Sequence, residues 1–376
     1  MIFTDEIKPA SAEVIDIDAD SDGGVVAWTE NDGTVMKVST QIKDIKVQAA
    51  VKSKSNGMFY EKSKIKKIDL KMFDTSKVTE MHQMFYDCRS LTSLDLTPLN
   101  TSRVTNMGGM FEGCSGLTSL DLTGWNTSKV TSMGAMFSYC SGLRSLDLTP
   151  LDTSKVTDMN FMFSGCDGLT SLDLTPLNTS MVKSMLSMFE GCSSLTSLDL
   201  TPLDTSNVKY MQAMFSNCSS LTSLNLTPLD TSKVITMDSM FEGCSGLTSL
   251  DLAPLDTSNV GYMNDMFNSC SGLTTIDLSP LNTTNVTSMY QMFFGCSGLT
   301  SLDLTPLNTS KVRNMKSMFD GCSSLTTLIT GSKFKFVDTD YKLSGTWQNA
   351  AGETFNGNNG TANFPSNVAD TYTKIS

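Results

Sequence analysis

The sequence predicts a repeat solenoid, and three columns of residues predict it. All ten Cys fall 26 residues apart, at Cys88, Cys114, Cys140, Cys166, Cys192, Cys218, Cys244, Cys270, Cys296 and Cys322. Twenty of the 25 Met form ten MxxMF blocks, from Met81-Met84-Phe85 to Met315-Met318-Phe319. Eight of the 10 Pro keep the same register, from Pro98 to Pro306, with Gly124 substituting once. Self-similarity at a fixed period of this length marks an array whose units are too small to hold a core alone and bury their apolar faces against one another.

Three regions follow in chain order. Residues 1–57 lie outside the period and read as an N-terminal β-rich cap: two strand-like runs flank Asn31-Asp32-Gly33 as a hairpin, and Ile45 to Val51 is a further strand candidate. Residues 58–329 hold about ten and a half turns, the first carrying Lys62 in the Cys slot. Within each turn, LxxLxL places Leu94 and Leu96 on one face of a short strand and Ser93, Asp95 and Thr97 on the other, so that stacked turns are expected to form a parallel sheet. Thr-Pro then ends the strand, and the Leu-Asx-Thr-Ser segment supplies side-chain acceptors for a turn or helix cap. The MxxMF block has i, i+3, i+4 spacing, which predicts a short α or 3₁₀ segment. Residues 330–376 read as a C-terminal β-hairpin cap or tail, with strands at KFKFV and GTWQNAAGETF and with Trp347 and Phe355 placed to cover the last turn.

Composition excludes several function classes. With 27 Lys plus Arg against 39 Asp plus Glu, the formal charge is −12, which argues against nucleic-acid or anionic-membrane partners. No apolar run is long enough to span a bilayer, and the acidic start MIFTDEIKPASAEVIDIDAD does not read as an export leader, so a soluble, leaderless chain is expected. One histidine, His82, leaves little for His-dependent nucleophilic catalysis.

The recurrent LTSLDL, the L-[DN]-T-S-K-V segment and the M-x-x-MF-x-G-C-S block resemble the BspA-like leucine-rich repeat surface proteins, in the variant also met as a mycoplasma-type lipoprotein repeat. The likeness covers about 272 of 376 residues, and GTWQNAAGETF with PSNVADTYTKIS resembles the tail that closes such arrays. The resemblance implies a right-handed leucine-rich-repeat-like superhelix, without enzymatic activity or cofactor, on a bacterial surface or secreted, adhering to host or neighbouring-cell proteins. A lipobox Cys and an LPxTG motif are not recognisable, so either the chain is a trimmed piece of a longer protein or another export and anchoring route is expected, a phage particle or surface appendage among them.

Candidate sites fall in columns. The Cys column reads as a buried thiol ladder: there is no CxxC pair for zinc, and equivalent Cβ atoms at the ~4.8 Å strand spacing are too far apart for bridges. The Met pairs read as stacked core. A carboxylate column, comprising Asp95, Asp121, Asp147, Asp173, Asp199, Asp251, Asp277 and Asp303 with Asn225 interrupting, has two readings: oxygen ligands for cations such as Ca²⁺, or acceptors for nearby hydroxyls such as Ser93 and Thr97, the second being preferred. A further column, from Asp74 to Asn308, exchanges Asp and Asn within one chain, as a turn acceptor can and an acid or base cannot. Variation between turns concentrates around the Met pair. There Phe161, Tyr210, Tyr262, Tyr290 and Phe294 are candidate anchors for a protein partner, with neutral drift at solvated positions as the alternative.

Overall fold

A computed structural model describes residues 57–68, 70, 75–337, 340–357 and 364–376, together with the backbone of four N-terminal strands. It comprises two compact units, Met1–Met181 and Val182–Ser376. Both contain repeat turns laid one on the next, so that each unit is a stretch of solenoid.

The first unit begins with a sheet of β1 (Ile2–Thr4), β2 (Val14–Asp16), β3 (Val25–Glu30) and β4 (Val35–Thr40) in the order β1-β4-β3-β2. The expected hairpin is present as the antiparallel β3–β4 pair, Val25 opposite Thr40 and Glu30 opposite Val35. β1 adds to β4 in parallel, and β2 adds to β3 antiparallel. The candidate strand at Ile45 to Val51 lies outside the described residues.

The turns depart from expectation at both of their main segments. No helix occurs among the described residues. At MxxMF the chain makes consecutive tight turns instead: Met84 N–H donates to Met81 C=O, Tyr86 to Gln83 and Cys88 to Phe85. Gln83 and Asp87 stand at φ 54° and 58°, in the left-handed region. The same two positions carry positive φ in every turn, through Ser317 and Gly321. A positive φ every fourth residue interrupts the run of right-handed residues that a helix requires.

The N–H groups between these local bonds point to the next turn. Met81, Gln83, Phe85 and Asp87 donate to the carbonyls of Asn106, Gly108, Met110 and Glu112, at 2.7–2.9 Å. In the second unit Met237, Ser239, Phe241 and Gly243 donate in the same way to Tyr262, Asn264, Met266 and Asn268. Odd and even peptide groups thus divide the work, one set closing turns and the other joining them, which satisfies the buried main chain without helix or sheet.

LxxLxL shows the opposite departure. Its side chains alternate as expected, with Leu96 buried and Ser93, Asp95 and Thr97 exposed. Among the described residues, however, strand geometry is reached only in β5 (Ser301–Asp303) and β6 (Thr327–Thr330), which pair in parallel. β6 is held in register on its other side by β9 (Asp370–Lys374), with Leu328 opposite Tyr372. That support accounts for ladder bonds at this end of the array. The sheet is completed by the hairpin of β7 (Thr346–Gln348) and β8 (Thr354–Asn356), in the order β5-β6-β9-β7-β8. KFKFV is not a strand; Phe334 and Phe336 turn inward and meet edge to face at 5.0 Å in a cluster with Tyr341 and Phe364. Trp347 is buried and donates to Ser344 C=O, while Phe355 packs on Phe364 and Tyr372.

The core is columnar. Phe59, Phe85, Phe111, Phe137 and Phe163 stack at 5.3–5.9 Å in the first unit. Phe189 to Phe319 stack at 5.6–6.4 Å in the second. Both Met of every pair are buried beside them. A column absent from the sequence-based reading is formed by the buried Thr of L-[DN]-T-S. Thr101 Oγ1 donates to Asn126 C=O at 3.1 Å and accepts from Asn126 N–H at 2.8 Å; Thr257 does the same with Asn282, at 3.1 and 2.8 Å. Each hydroxyl therefore replaces a main-chain pair between successive turns.

Candidate interaction surface

The sulfur and carboxylate columns resolve into structural parts. All ten Cys are buried thiols, none in a disulfide. Cys114 Sγ donates to Phe85 C=O at 3.0 Å, and Cys270 to Phe241 C=O at 3.0 Å. That same carbonyl accepts the N–H of the Cys in its own turn, so the thiol fills its second lone pair. Burial pushes the thiols of Cys88, Cys166, Cys244 and Cys322 up to about 12, well away from nucleophilic thiolate chemistry.

The carboxylate column caps its own turns. Asp95 Oδ1 accepts from Thr97 N–H at 3.1 Å and Thr97 Oγ1 at 2.7 Å. Asp121, Asp147, Asp173, Asp199, Asp251, Asp277 and Asp303 accept the N–H two residues on, at 2.8–2.9 Å. Asn225 does so as well. Bonds from the hydroxyl and N–H of Thr123 hold the Asp121 carboxyl below the ordinary range, and bonds from the N–H and hydroxyl two residues on do the same for Asp173 and Asp277. Among the described residues no group of three or more His, Cys, Asp or Glu is arranged to hold a metal ion. The Asp/Asn column makes equivalent bonds, Asn100 to Ser102 N–H and Asp230 to Ser232 N–H.

The surface with variable chemistry is the outer side of the turn ladder. Phe161 lies in the first unit; Tyr210, Tyr262, Tyr290 and Phe294 lie in the second, so the five candidates do not form one site within a unit. Phe161, Tyr210 and Tyr262 are exposed, whereas Tyr290 and Phe294 are half-buried. Ile235, on the turn between Tyr210 and Tyr262, is exposed as well, and among the described residues Tyr139 is the most exposed large apolar side chain, at 59%. The sequence-based list missed Tyr139 because it sits just before Cys140, away from the Met pair.

Two shallow grooves open on the first unit. One, of about 300 Å³, runs from His82 across Gly108 and Gly134 to Asn160 and Phe161. The second, of about 420 Å³, runs from Tyr86, Asp87 and Arg89 over Glu112 and Gly113 to Tyr139 and Asp167. Both exist because some turns carry Gly where their neighbours carry side chains. Burial, and secondarily the nearby Asp87, raises the Glu112 carboxyl. In the second unit burial likewise raises Asp238, Glu242 and Asp265.

Stacked 26-residue turns with a leucine-lined face define a repeat solenoid of the leucine-rich type. A family model described as "Mycoplasma protein of unknown function, DUF285" matches residues 53–167, 140–249 and 222–332 in tandem, and the chain belongs to that family. No curated protein matches it. Among solved structures it is similar to a leucine-rich cell surface protein of Faecalibacterium prausnitzii A2-165, at 15% identity over 86% of this chain and 95% of that one, with a TM-score of 0.34. It is also similar to TLR13 in its complex with ssRNA13 (16% identity, 71% and 47% covered, TM-score 0.21). A third similarity is to the functional domain of InlJ from Listeria monocytogenes, described as including a cysteine ladder (18% identity, 67% and 57% covered, TM-score 0.16). The chain spans about half the length of the latter two.

Proposed function

We propose that this chain is a non-enzymatic binding protein, secreted or held at a bacterial cell surface, that presents its repeat array to protein partners in adhesion. The observation that carries the reading is the set of exposed aromatic side chains, Tyr139, Phe161, Tyr210 and Tyr262, standing on a main-chain ladder that fixes their backbones in advance. Aromatics pre-set on a rigid support bury large area at little ordering cost, which is what interface anchors do. Enzymatic chemistry has little to draw on: the thiols are buried, and the Asp columns are committed to capping turns.

The test is direct binding of the purified chain to a panel of purified extracellular-matrix and bacterial surface proteins by biolayer interferometry. A partner is expected whose affinity falls at least tenfold when anchors are removed in two sets, Tyr210→Ala with Tyr262→Ala and Tyr290→Ala, or Tyr139→Gly with Phe161→Gly. Affinity unchanged by either set would sink the aromatic reading. No binding anywhere on the panel would favour a rigid spacer in a virion or appendage.

A further inference from the structure

The larger groove of the first unit has a chemistry of its own. Tyr86 forms one wall, and its ring is held by stacking on Tyr60 at 4.6 Å and 8°. Tyr139 forms the other, from a backbone at φ 54° where a bulky residue is strained. Its ring lies across Gly165 so closely that a Cβ there would come within 2.5 Å of the ring. Both rings are therefore set before any partner arrives.

Between the rings the charge is unbalanced. Among the described residues lining the groove, Asp87, Glu112 and Asp167 face a single cation, Arg89, and that guanidinium bonds Asp87. Glu112 and Asp167 are left without a bonded cation in the groove lining; burial raises both carboxyls, and a cation seated between them would offset that cost.

We propose that this groove seats a basic side chain, arginine in preference to lysine, from a protein partner. The proposal rests on the protein-binding reading above and names the chemistry of the partner. A guanidinium combines a flat face that stacks on aromatic rings with a donor fork that matches carboxylates. Arg89 on Asp87 shows this rim already accepting that group. An acidic segment would be repelled, and a neutral one would leave Glu112 and Asp167 uncompensated. The chain's net charge of −12 adds long-range attraction for a basic partner.

Fluorescence anisotropy of the full chain with a short labelled peptide of alternating Gly, Ser and Arg tests this. Counterparts carry Lys, citrulline or Glu in place of Arg. The Arg peptide is expected to bind best, the Lys peptide more weakly, and the citrulline and Glu peptides not measurably. Glu112→Gln with Asp167→Asn should weaken Arg-peptide binding about tenfold. Tyr139→Gly should weaken it about threefold. Gly165→Ala, which displaces the Tyr139 ring in a register where other turns already carry side chains, should match that loss, and Val368→Ala, at an exposed side chain of the second unit, should change nothing. Circular dichroism of each variant confirms folding. Equal binding of the citrulline peptide, indifference to the Glu112 and Asp167 changes, or no Arg-peptide binding overturns the proposal. If a natural partner still binds through the aromatic anchors, the groove assignment alone falls; if the Arg peptide binds as expected and no protein partner is found, the broader reading falls instead.

Discussion

The two sides of each repeat reverse the usual relation between sequence regularity and main-chain order. LTSLDLTPL hardly varies from turn to turn, yet among the described residues it forms strands only at Ser301–Asp303 and Thr327–Thr330. The MxxMF side varies between its Met residues and carries the dense ladder of main-chain bonds. Peptide groups bond without regard to which side chain they bear, so the hydrogen-bonded side tolerates His82, Phe161 or Asp265 in its outward positions. The leucine side relies on side-chain packing, on turn caps such as Asp95 and on the hydroxyl of Thr101 that joins it to the next turn, each of which needs a side chain of the right bonding type.

The strongest attempt to break this comparison is Phe241→Ala. Its ring stacks between Phe215 and Phe267 at 6.0 Å each, and its loss from the ladder side should cost about 3–5 kcal/mol in urea unfolding. Hydrogen exchange tests the division itself. The amides of Met237, Ser239, Phe241 and Gly243 should exchange about a hundredfold more slowly than those of Ser223, Leu224 and Asn225, which enter no main-chain ladder. Equal protection would mean that the leucine side is held as firmly as the turn side. Thr257→Val removes both partners of Asn282's peptide groups at constant shape, and should lower stability by about 1–3 kcal/mol.

Smaller effects come from the outer face. Gly243 has φ 67°, and a Cβ there would meet Asn217 Oδ1 at 2.3 Å. Gly243→Ala should cost about 1 kcal/mol, and Asn217→Gly in the same chain should recover part of it if the contact is the cause. The pH dependence has two limbs. Asp121, Asp173 and Asp277 have folded pKa values below the ordinary carboxylate value of about 4, so their contribution is present above that pH and is lost as pH falls through the depressed values. Asp238, Glu242 and Asp265 have raised values, so theirs is present below about 4 and is lost as pH rises through the raised values. The melting temperature should therefore peak on the mildly acidic side, and Asp238→Asn with Glu242→Gln and Asp265→Asn should flatten only the alkaline limb.

The columns of Cys, Met, Phe and Leu were legible because burial at a constant period leaves an unmistakable trace. The local conformation of MxxMF was not. Its i, i+3, i+4 spacing is shared by a helix and by a chain of tight turns, and only the second left-handed position, Gly in six turns, distinguishes them. That signal is diluted by Asp87, Tyr139, Asn217 and Ser269 in the same place. The Thr column was hidden for another reason: a hydroxyl that replaces a peptide pair has no periodic partner residue, since its bonds end on main-chain atoms. Among the aromatic anchors, exposure of Phe161, Tyr210 and Tyr262 followed from turn-to-turn variation, but Tyr139 stood in a position mostly held by glycine.

That position also sets a rule of succession. From the first complete turn on it reads Asp87, Gly113, Tyr139, Gly165, Gly191, Asn217, Gly243, Ser269, Gly295 and Gly321, and among these no two side chains are adjacent, although Glu61 precedes Asp87 at the same position of the incomplete opening turn. Asp87, Tyr139, Asn217 and Ser269 each lean over the glycine of the following turn, their nearest atoms 2.3–3.1 Å from where its Cβ would be. The surface period is therefore longer than the core period, each of these four bearers being followed by one or two blanks. An array that lengthened by copying the Tyr139 turn alone would lay one leaning ring over another. Copying in pairs, or adding blanks, extends the scaffold while keeping its decorations apart.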